Sequence, residues 1–252
     1  MENLIQPFSD ITIDRRGLIK GAGAASLSLM LGGLLTSKAA ANGPTDADIL
    51  GAAKIAEALA TTMYTGIINE SPWFATLDPD DQDYFRAARD HEKYHYDLLK
   101  SVTGNTDAGL SYYFPNNMFT NVRRTFSILV TLEDIFIAAY LLGVRAFSSN
   151  DLKVISAQIM GIESDHRTLG RLVAAELGET TIVGFGGTEP LNVPNNNIYE
   201  RTYAINSLDR AVRQLLRFID PNAAAAAGYT KVRTFDPSYQ PNFPNLYGNP
   251  PA

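Results

Sequence analysis

Two of the three histidines in the chain follow a glutamate by three residues. The pairs are Glu92-x-x-His95 and Glu163-x-x-His166. Side chains three positions apart lie on one face of a helix, so each pair can bind a common cation. Both pairs lie within stripes of apolar residues at helical spacing. The two pairs therefore predict a metal site inside a helical bundle.

Two further glutamates lie in apolar segments that carry no histidine. Glu57 belongs to the stretch 55–60 and Glu133 to the stretch 129–136. Burying an ionised carboxylate without a partner is unfavourable, and a bound cation offsets that cost. We interpret both glutamates as metal ligands. The alternative is that both glutamates point to solvent from helices whose apolar face is narrow.

A tyrosine follows each of these two glutamates by seven residues. Tyr64 follows Glu57, and Tyr140 follows Glu133. Seven residues are two helical turns, so each tyrosine lies on the face of its glutamate. The repetition predicts two helical hairpins of similar design. The tyrosines are candidate catalytic residues that hydrogen-bond ligand carboxylates or supply electrons; the equal alternative is that they only fill the core.

Composition limits the chemistry of the site. The chain has 252 residues and no cysteine, which excludes disulfides, thiolate zinc sites and cysteine nucleophiles. Four glutamates would balance the charge of two divalent cations, and oxygen with imidazole ligands suits Fe or Mn. This donor set therefore predicts two Fe or two Mn ions. A net charge of -6 argues against nucleic acid as a partner.

Helical periodicity and capping residues predict the elements that must carry these side chains. Four long helices are expected at about 46–70, 79–102, 117–147 and 151–177. Residues 180–197 are rich in Gly, Pro and Asn and are predicted to form a loop, and a fifth helix is expected at about 198–219. The remaining tail is rich in proline, which favours an extended arm on the bundle surface or on a neighbouring subunit.

The N-terminus resembles a twin-arginine export signal. It has Arg15-Arg16, a weakly apolar segment at 21–35 and small residues up to Ala41. Cleavage is expected before Asn42 or Ala40; the alternative is an uncleaved membrane anchor. The apolar segment is shorter than the about 20 residues that span a bilayer, so no stable membrane span is expected after cleavage. The resemblance implies a periplasmic or otherwise extracytoplasmic protein exported in its folded state.

The six candidate ligands, in their order on four successive helices, resemble the ligand set of the ferritin-like di-iron or di-manganese carboxylate superfamily. The set comprises Glu57, Glu92, His95, Glu133, Glu163 and His166. The resemblance implies an all-α fold: a ferritin-like four-helix bundle at 42–178 with a long crossover. Residues 179–252 would form a C-terminal extension with an additional helix and a proline-rich tail, after a signal peptide at 1–41.

The resemblance also assigns roles to individual residues. Glu92 and Glu163 would bridge the two metals, whereas Glu57 and Glu133 would be terminal ligands. Each ligand histidine would donate its second ring nitrogen to an acceptor. Asp134 and Asp90 are candidate acceptors, with a solvent-facing position as the favoured alternative for both. His91 is expected at the surface or next to the ligands.

The resemblance leaves three functions open. With the export signal, the chain most resembles exported bacterial ferritin-like proteins related to plant desiccation-related proteins. The first expectation is an oxidoreductase whose two Fe react with O₂ or peroxide, as a ferroxidase or peroxidase. The second is a di-manganese catalase. The third is a stress or desiccation-protection protein with a structural metal site. A homo-oligomer formed through the C-terminal extension is also expected.

Overall fold

A computed structural model of the chain describes residues 44–104, 109–192, 199–201 and 205–242. The predicted export signal at 1–41 lies outside these residues. The described part is an all-α bundle, as predicted, and it also contains two small strand pairs that were not predicted. Its helices are α1 Asp46–Glu70, α2 Pro79–Thr103, α3 Val122–Ala146, α4 Asn150–Glu176, α5 Leu208–Ile219 and α6 Pro221–Ala226. Its strands are β1 Ser111–Phe114, β2 Thr181–Gly184, β3 Gly187–Pro190 and β4 Lys231–Thr234.

The long helices form two hairpins, α1 with α2 and α3 with α4. Lys54 Nζ near the start of α1 donates to the Gly104 carbonyl at the end of α2, at 3.2 Å. The Ser148 amide after α3 donates to Asp46 Oδ1, at 2.9 Å. The helices α2 and α3 therefore end at the same end of the bundle. The segment between them must run along the bundle, which is the predicted long crossover.

The helix starts follow capping chemistry. Thr45 and Asp48 form a capping box on α1, and Asp78 with Pro79 begins α2, at the predicted positions. The predicted start of α3 at 117 is wrong. Asn121 is the N-cap, because its side chain accepts from the Arg124 amide at 2.8 Å.

The C-terminal part differs more from the prediction. The predicted loop at 180–197 contains an antiparallel hairpin of β2 and β3. The fifth helix begins at Leu208, not at about 198, because the Ser207 side chain caps it by accepting from the Arg210 amide at 3.2 Å. The alanine-rich segment after it forms the short helix α6.

The proline-rich tail lies on the bundle surface over its described residues. Its strand β4 pairs antiparallel with β1 of the crossover. Phe235 is buried against Tyr96 of α2, with ring centroids 4.6 Å apart. Tyr239 donates a hydrogen bond to Asp90. The tail thereby joins the crossover and α2 into one surface.

Among the described helices, only α3 is long and apolar enough to cross a membrane. Most of its apolar window is buried inside the bundle. It also carries the buried acids Glu133 and Asp134. Its composition is therefore explained by its position as the most enclosed helix of the core.

Candidate metal centre

The structure brings all six predicted ligands together inside the bundle. Each of the four long helices contributes: α1 and α3 one glutamate each, α2 and α4 one Glu-x-x-His pair each. Glu92, Glu133 and Glu163 have no solvent exposure, and the least buried ligand, His95, is 7% exposed. The alternative that Glu57 and Glu133 face solvent is wrong.

The six side chains form two overlapping groups of four. One group is Glu57, Glu92, His95 and Glu163; the other is Glu92, Glu133, Glu163 and His166. Within each group one donor atom per residue lies within 4.8 Å of all the others. Glu92 and Glu163 belong to both groups, so these two carboxylates lie between the two candidate cation positions.

Each histidine turns Nδ1 toward the carboxylates of its group. His95 Nδ1 lies 3.5 Å from both Glu57 Oε2 and Glu163 Oε1. His166 Nδ1 lies 2.9 Å from Glu92 Oε1 and 3.2 Å from Glu163 Oε2. These separations across each group leave the nitrogen and oxygen donors facing one another around a common centre.

Buried polar atoms without hydrogen-bond partners show that the donor set fits metal ions. Such atoms are rare because an unsatisfied buried carboxylate oxygen is costly. Here they cluster on the ligands: Glu57 Oε2, both oxygens of Glu92, His95 Nδ1, Glu133 Oε2 and Glu163 Oε1. Cations coordinated by these atoms would remove the cost, and the Glu and His donors suit Fe or Mn.

Each tyrosine hydrogen-bonds the candidate ligand glutamate of the other tyrosine's helix. Tyr64 of α1 donates to Glu133 Oε1 of α3 at 2.7 Å. Tyr140 of α3 donates to Glu57 Oε1 of α1. Glu57 and Glu133 thus each have one oxygen fixed by a phenol and the other without a hydrogen-bond partner. The exchange explains the seven-residue spacing and relates the two hairpins by an approximate twofold repeat.

Burial of the acids changes their proton affinities. Burial and the nearby Glu163 raise the pKa of Glu92 well above its usual value, and burial and Glu92 do the same to the pKa of Glu133. Burial raises the pKa of Glu163, but the nearby His166 and His95 outweigh burial and lower it to about 2. Burial and the nearby carboxylates raise the pKa of both Tyr64 and Tyr140, which keeps them as hydrogen-bond donors.

His91 is the hydrogen-bond neighbour of a predicted ligand. Its Nδ1 lies 3.2 Å from His166 Nε2, and the two rings stack. Burial and His166 lower the pKa of His91 to about 4, so it is neutral at pH 7 and can accept from His166 Nε2. The expected position of His91 next to the ligands is confirmed.

The expected positions of Asp134 and Asp90 are wrong, because both are buried and neither contacts a ligand histidine. Asp134 accepts from Arg167 Nε at 2.5 Å and from the Phe185 amide at 2.9 Å. Asp90 accepts from Tyr239 and from the Asn242 amide in the tail. Each aspartate fastens the C-terminal extension to the bundle.

A buried ion network that the sequence did not predict lies beside the second ligand pair. Arg167 follows His166 and bridges Asp134 to Glu189 of β3. Arg171, one turn later, also donates to Glu189. The i, i+4 spacing of the two arginines was the available signal, but their acidic partner lies in a segment predicted as loop.

A family model described as a ferritin-like domain matches residues 45–176. The chain belongs to this ferritin-like family. The match covers just over half of the chain and includes α1 to α4 with all six candidate ligands. No curated protein and no solved structure matches the chain significantly.

Proposed function

We propose that this ferritin-like protein is an exported oxidoreductase whose two Fe ions react with O₂ or peroxide. The observation that carries the proposal is the pair of four-residue groups that share Glu92 and Glu163. Two groups with two common carboxylates suit a dinuclear, carboxylate-bridged centre. The paired arginines at 15–16 support export, with a periplasmic or otherwise extracytoplasmic destination.

The proposed assignment follows the two groups. Glu57 and His95 would hold one metal, Glu133 and His166 would hold the other, and Glu92 and Glu163 belong to both groups. Two redox metals held side by side would supply two-electron chemistry toward an oxidant. Four carboxylates neutralise two divalent cations, so the loaded site is electrically balanced.

The residues of the chain position the centre and keep it dry. Tyr64 and Tyr140 fix the two terminal carboxylates and hold a proton on each phenol beside them. His91 accepts from His166 and so favours the tautomer whose Nδ1 is free to ligate. Apolar side chains of α3 surround Glu133 and exclude bulk water.

Metal analysis combined with turnover assays tests the proposal. The protein is purified from its native compartment, its metals are counted, and Fe(II) oxidation and peroxide consumption are measured. Two Fe per chain with ferroxidase or peroxidase turnover is the expected result. Two Mn per chain with rapid release of O₂ from peroxide would instead establish a di-manganese catalase. Metal without either turnover would contradict both enzyme assignments and favour a structural site in a stress-protection protein.

The substitution Glu133→Ala tests the ligand assignment. It removes a ligand that one metal position does not share with the other, so the metal content should fall from two ions to at most one per chain. Glu176→Ala on the exposed end of α4 is the matched control and should retain both ions. A Glu133→Ala protein that folds normally and keeps both metals would contradict the assignment.

A further inference from the structure

An apolar cavity lies at one end of the bundle. It is formed where α1 and α4 begin and where α2 and α3 end, and α5 covers it. From α5 it is lined by the apolar face that includes Leu208, Val212 and Leu215. Its volume is about 60 Å³. A single water needs roughly 10–15 Å³ on this measure, so the cavity admits a few very small molecules but not a long chain.

The cavity adjoins the layer of candidate ligands. Every ligand helix contributes to its wall a residue three or four positions from a ligand. These residues are Ala53 before Glu57, Leu99 after His95, Phe136 after Glu133 and Ile159 before Glu163. Residues at this spacing lie one above the other, about one turn or 5.4 Å apart along the helix. The cavity is thus one helical turn from the proposed metals.

Tyr140 forms the shared wall between the cavity and the centre. Tyr140 lines the cavity, and its hydroxyl donates to the carboxylate of Glu57. A molecule in the cavity therefore meets Tyr140, which is bonded directly to a proposed terminal ligand.

The wall of the cavity has almost no side-chain group that could hydrogen-bond a polar molecule. Only Tyr140 and Ser156 among the lining residues carry polar side-chain atoms. Both hydroxyls already donate elsewhere, Tyr140 to Glu57 and Ser156 to the Tyr140 carbonyl at 2.8 Å. Water and hydrogen peroxide would lose hydrogen bonds on entering, whereas dioxygen has none to lose. Apolar cavities of this kind stay dry and bind apolar gases.

We infer that this cavity binds dioxygen beside the dinuclear centre, an inference that rests on the proposed function and selects O₂ over peroxide as the oxidant. The four ligand helices supply most of the cavity wall, and α5 of the C-terminal extension covers one side of it. This position gives a role in the centre's chemistry to a helix beyond the matched residues 45–176.

Xenon is the probe for the cavity, because it is an apolar gas of similar size that needs no metal to bind. Crystals of the metal-loaded full chain are pressurised with xenon and the noble-gas positions are located. We expect a xenon atom enclosed by Ala53, Tyr140 and Ile159. Absence of xenon from the cavity would overturn the inference.

The substitution Ala53→Leu fills the cavity and tests its role in the reaction. We expect xenon occupancy to be lost and the apparent KM for O₂ to rise about fivefold or more, with two metals still bound and the KM for peroxide unchanged. The matched control Ala157→Leu adds the same volume on the exposed face of α4 and should change neither quantity. Ala211→Leu, which fills the cavity from α5, is a second variant in case Ala53→Leu does not fold.

The outcomes separate this inference from the proposed function. Normal O₂ consumption by a folded Ala53→Leu protein, with an unchanged KM for O₂, would overturn the inference and leave the proposed function standing. A wild-type protein with two metals that consumes no O₂ would overturn the proposed oxidase chemistry, and with it the assignment of O₂ to the cavity, even if xenon binds.

Discussion

At the scale of residues, the two oxygens of each candidate ligand glutamate from α1 and α3 have different surroundings. In Glu57 and Glu133 one oxygen is fixed by a phenol from the opposite hairpin, and the other has no hydrogen-bond partner. The phenol holds the carboxylate in one rotamer without neutralising it. The proposed ligand geometry is therefore present before any cation binds.

The raised pKa values at the centre predict that metal binding releases protons. Without metal, the raised pKa of Glu92 and of Glu133 means that both acids hold protons above the pH at which ordinary glutamates lose them. The pKa of His95 is also raised: burial lowers it, but Glu57, Glu163 and Glu92 outweigh burial. Metal ligation requires the deprotonated forms, so protons compete with the metal.

We expect the apparent metal affinity to rise with pH between 5 and 7, by about tenfold per pH unit for each proton released. Calorimetric titration of the metal-free protein with Mn²⁺, in two buffers of different ionisation enthalpy, measures the number of protons. About two or more should leave per chain when both positions fill. An affinity that does not change with pH, with equal heats in both buffers, would contradict the assigned pKa directions.

At the scale of elements, a buried ion network fastens the β2–β3 hairpin to the bundle. Glu189 of β3 accepts from Arg167 and Arg171 of α4. Arg167 also bonds Asp134, and Asp134 accepts the amide of Phe185 in the hairpin turn. The hairpin therefore closes the side of the bundle next to Glu133 and His166.

We expect Glu189→Ala to lower the free energy of unfolding by about 2 kcal/mol. Breaking a buried ion pair costs about 3–5 kcal/mol, but Glu189 is partly exposed and Arg167 keeps Asp134 as a partner. Thermal unfolding should show a Tm lower by about 4–8 °C. The control Asp209→Ala breaks the exposed pair with Arg213 and should cost under about 1 kcal/mol. Equal effects of the two substitutions would contradict a structural role for the network.

At the scale of the whole molecule, the described tail binds the crossover to the four-helix bundle. Strand β4 pairs with β1, Arg233 and Lys231 bond Glu70 at the end of α1, and Phe235 packs on Tyr96 of α2. The tail thus ties three separate elements together in one chain. Association of chains through the C-terminal extension stays a prediction.

We expect Phe235→Ala to destabilise the molecule without changing its metal content. The removed side chain is 3% exposed, and its burial contributes about 1.5–3 kcal/mol. The measurement is thermal unfolding, together with faster hydrogen exchange of the β1 amides that pair with the tail. Val232→Ala on the exposed side of β4 is the control and should be nearly neutral. Loss of metal from Phe235→Ala would show that the tail also supports the centre.

The sequence by itself determined the four long helices and the six residues that meet in the core. Helical spacing places Glu92 with His95 and Glu163 with His166 on single faces, and the apolar surroundings of Glu57 and Glu133 direct both carboxylates inward. These features are local, because i, i+3 spacing and the solvation of a carboxylate depend on a few neighbouring residues.

Only the tertiary structure decided what lies around those six residues. The tyrosines bond the carboxylate of the opposite hairpin, Asp134 serves Arg167, and the cavity needs α5 as its cover. Each of these contacts joins residues far apart in the chain, and no local periodicity encodes which surfaces meet. The start of α5 at Leu208 is a local exception, because the side chain of Ser207 caps the helix by accepting from the Arg210 amide three residues later.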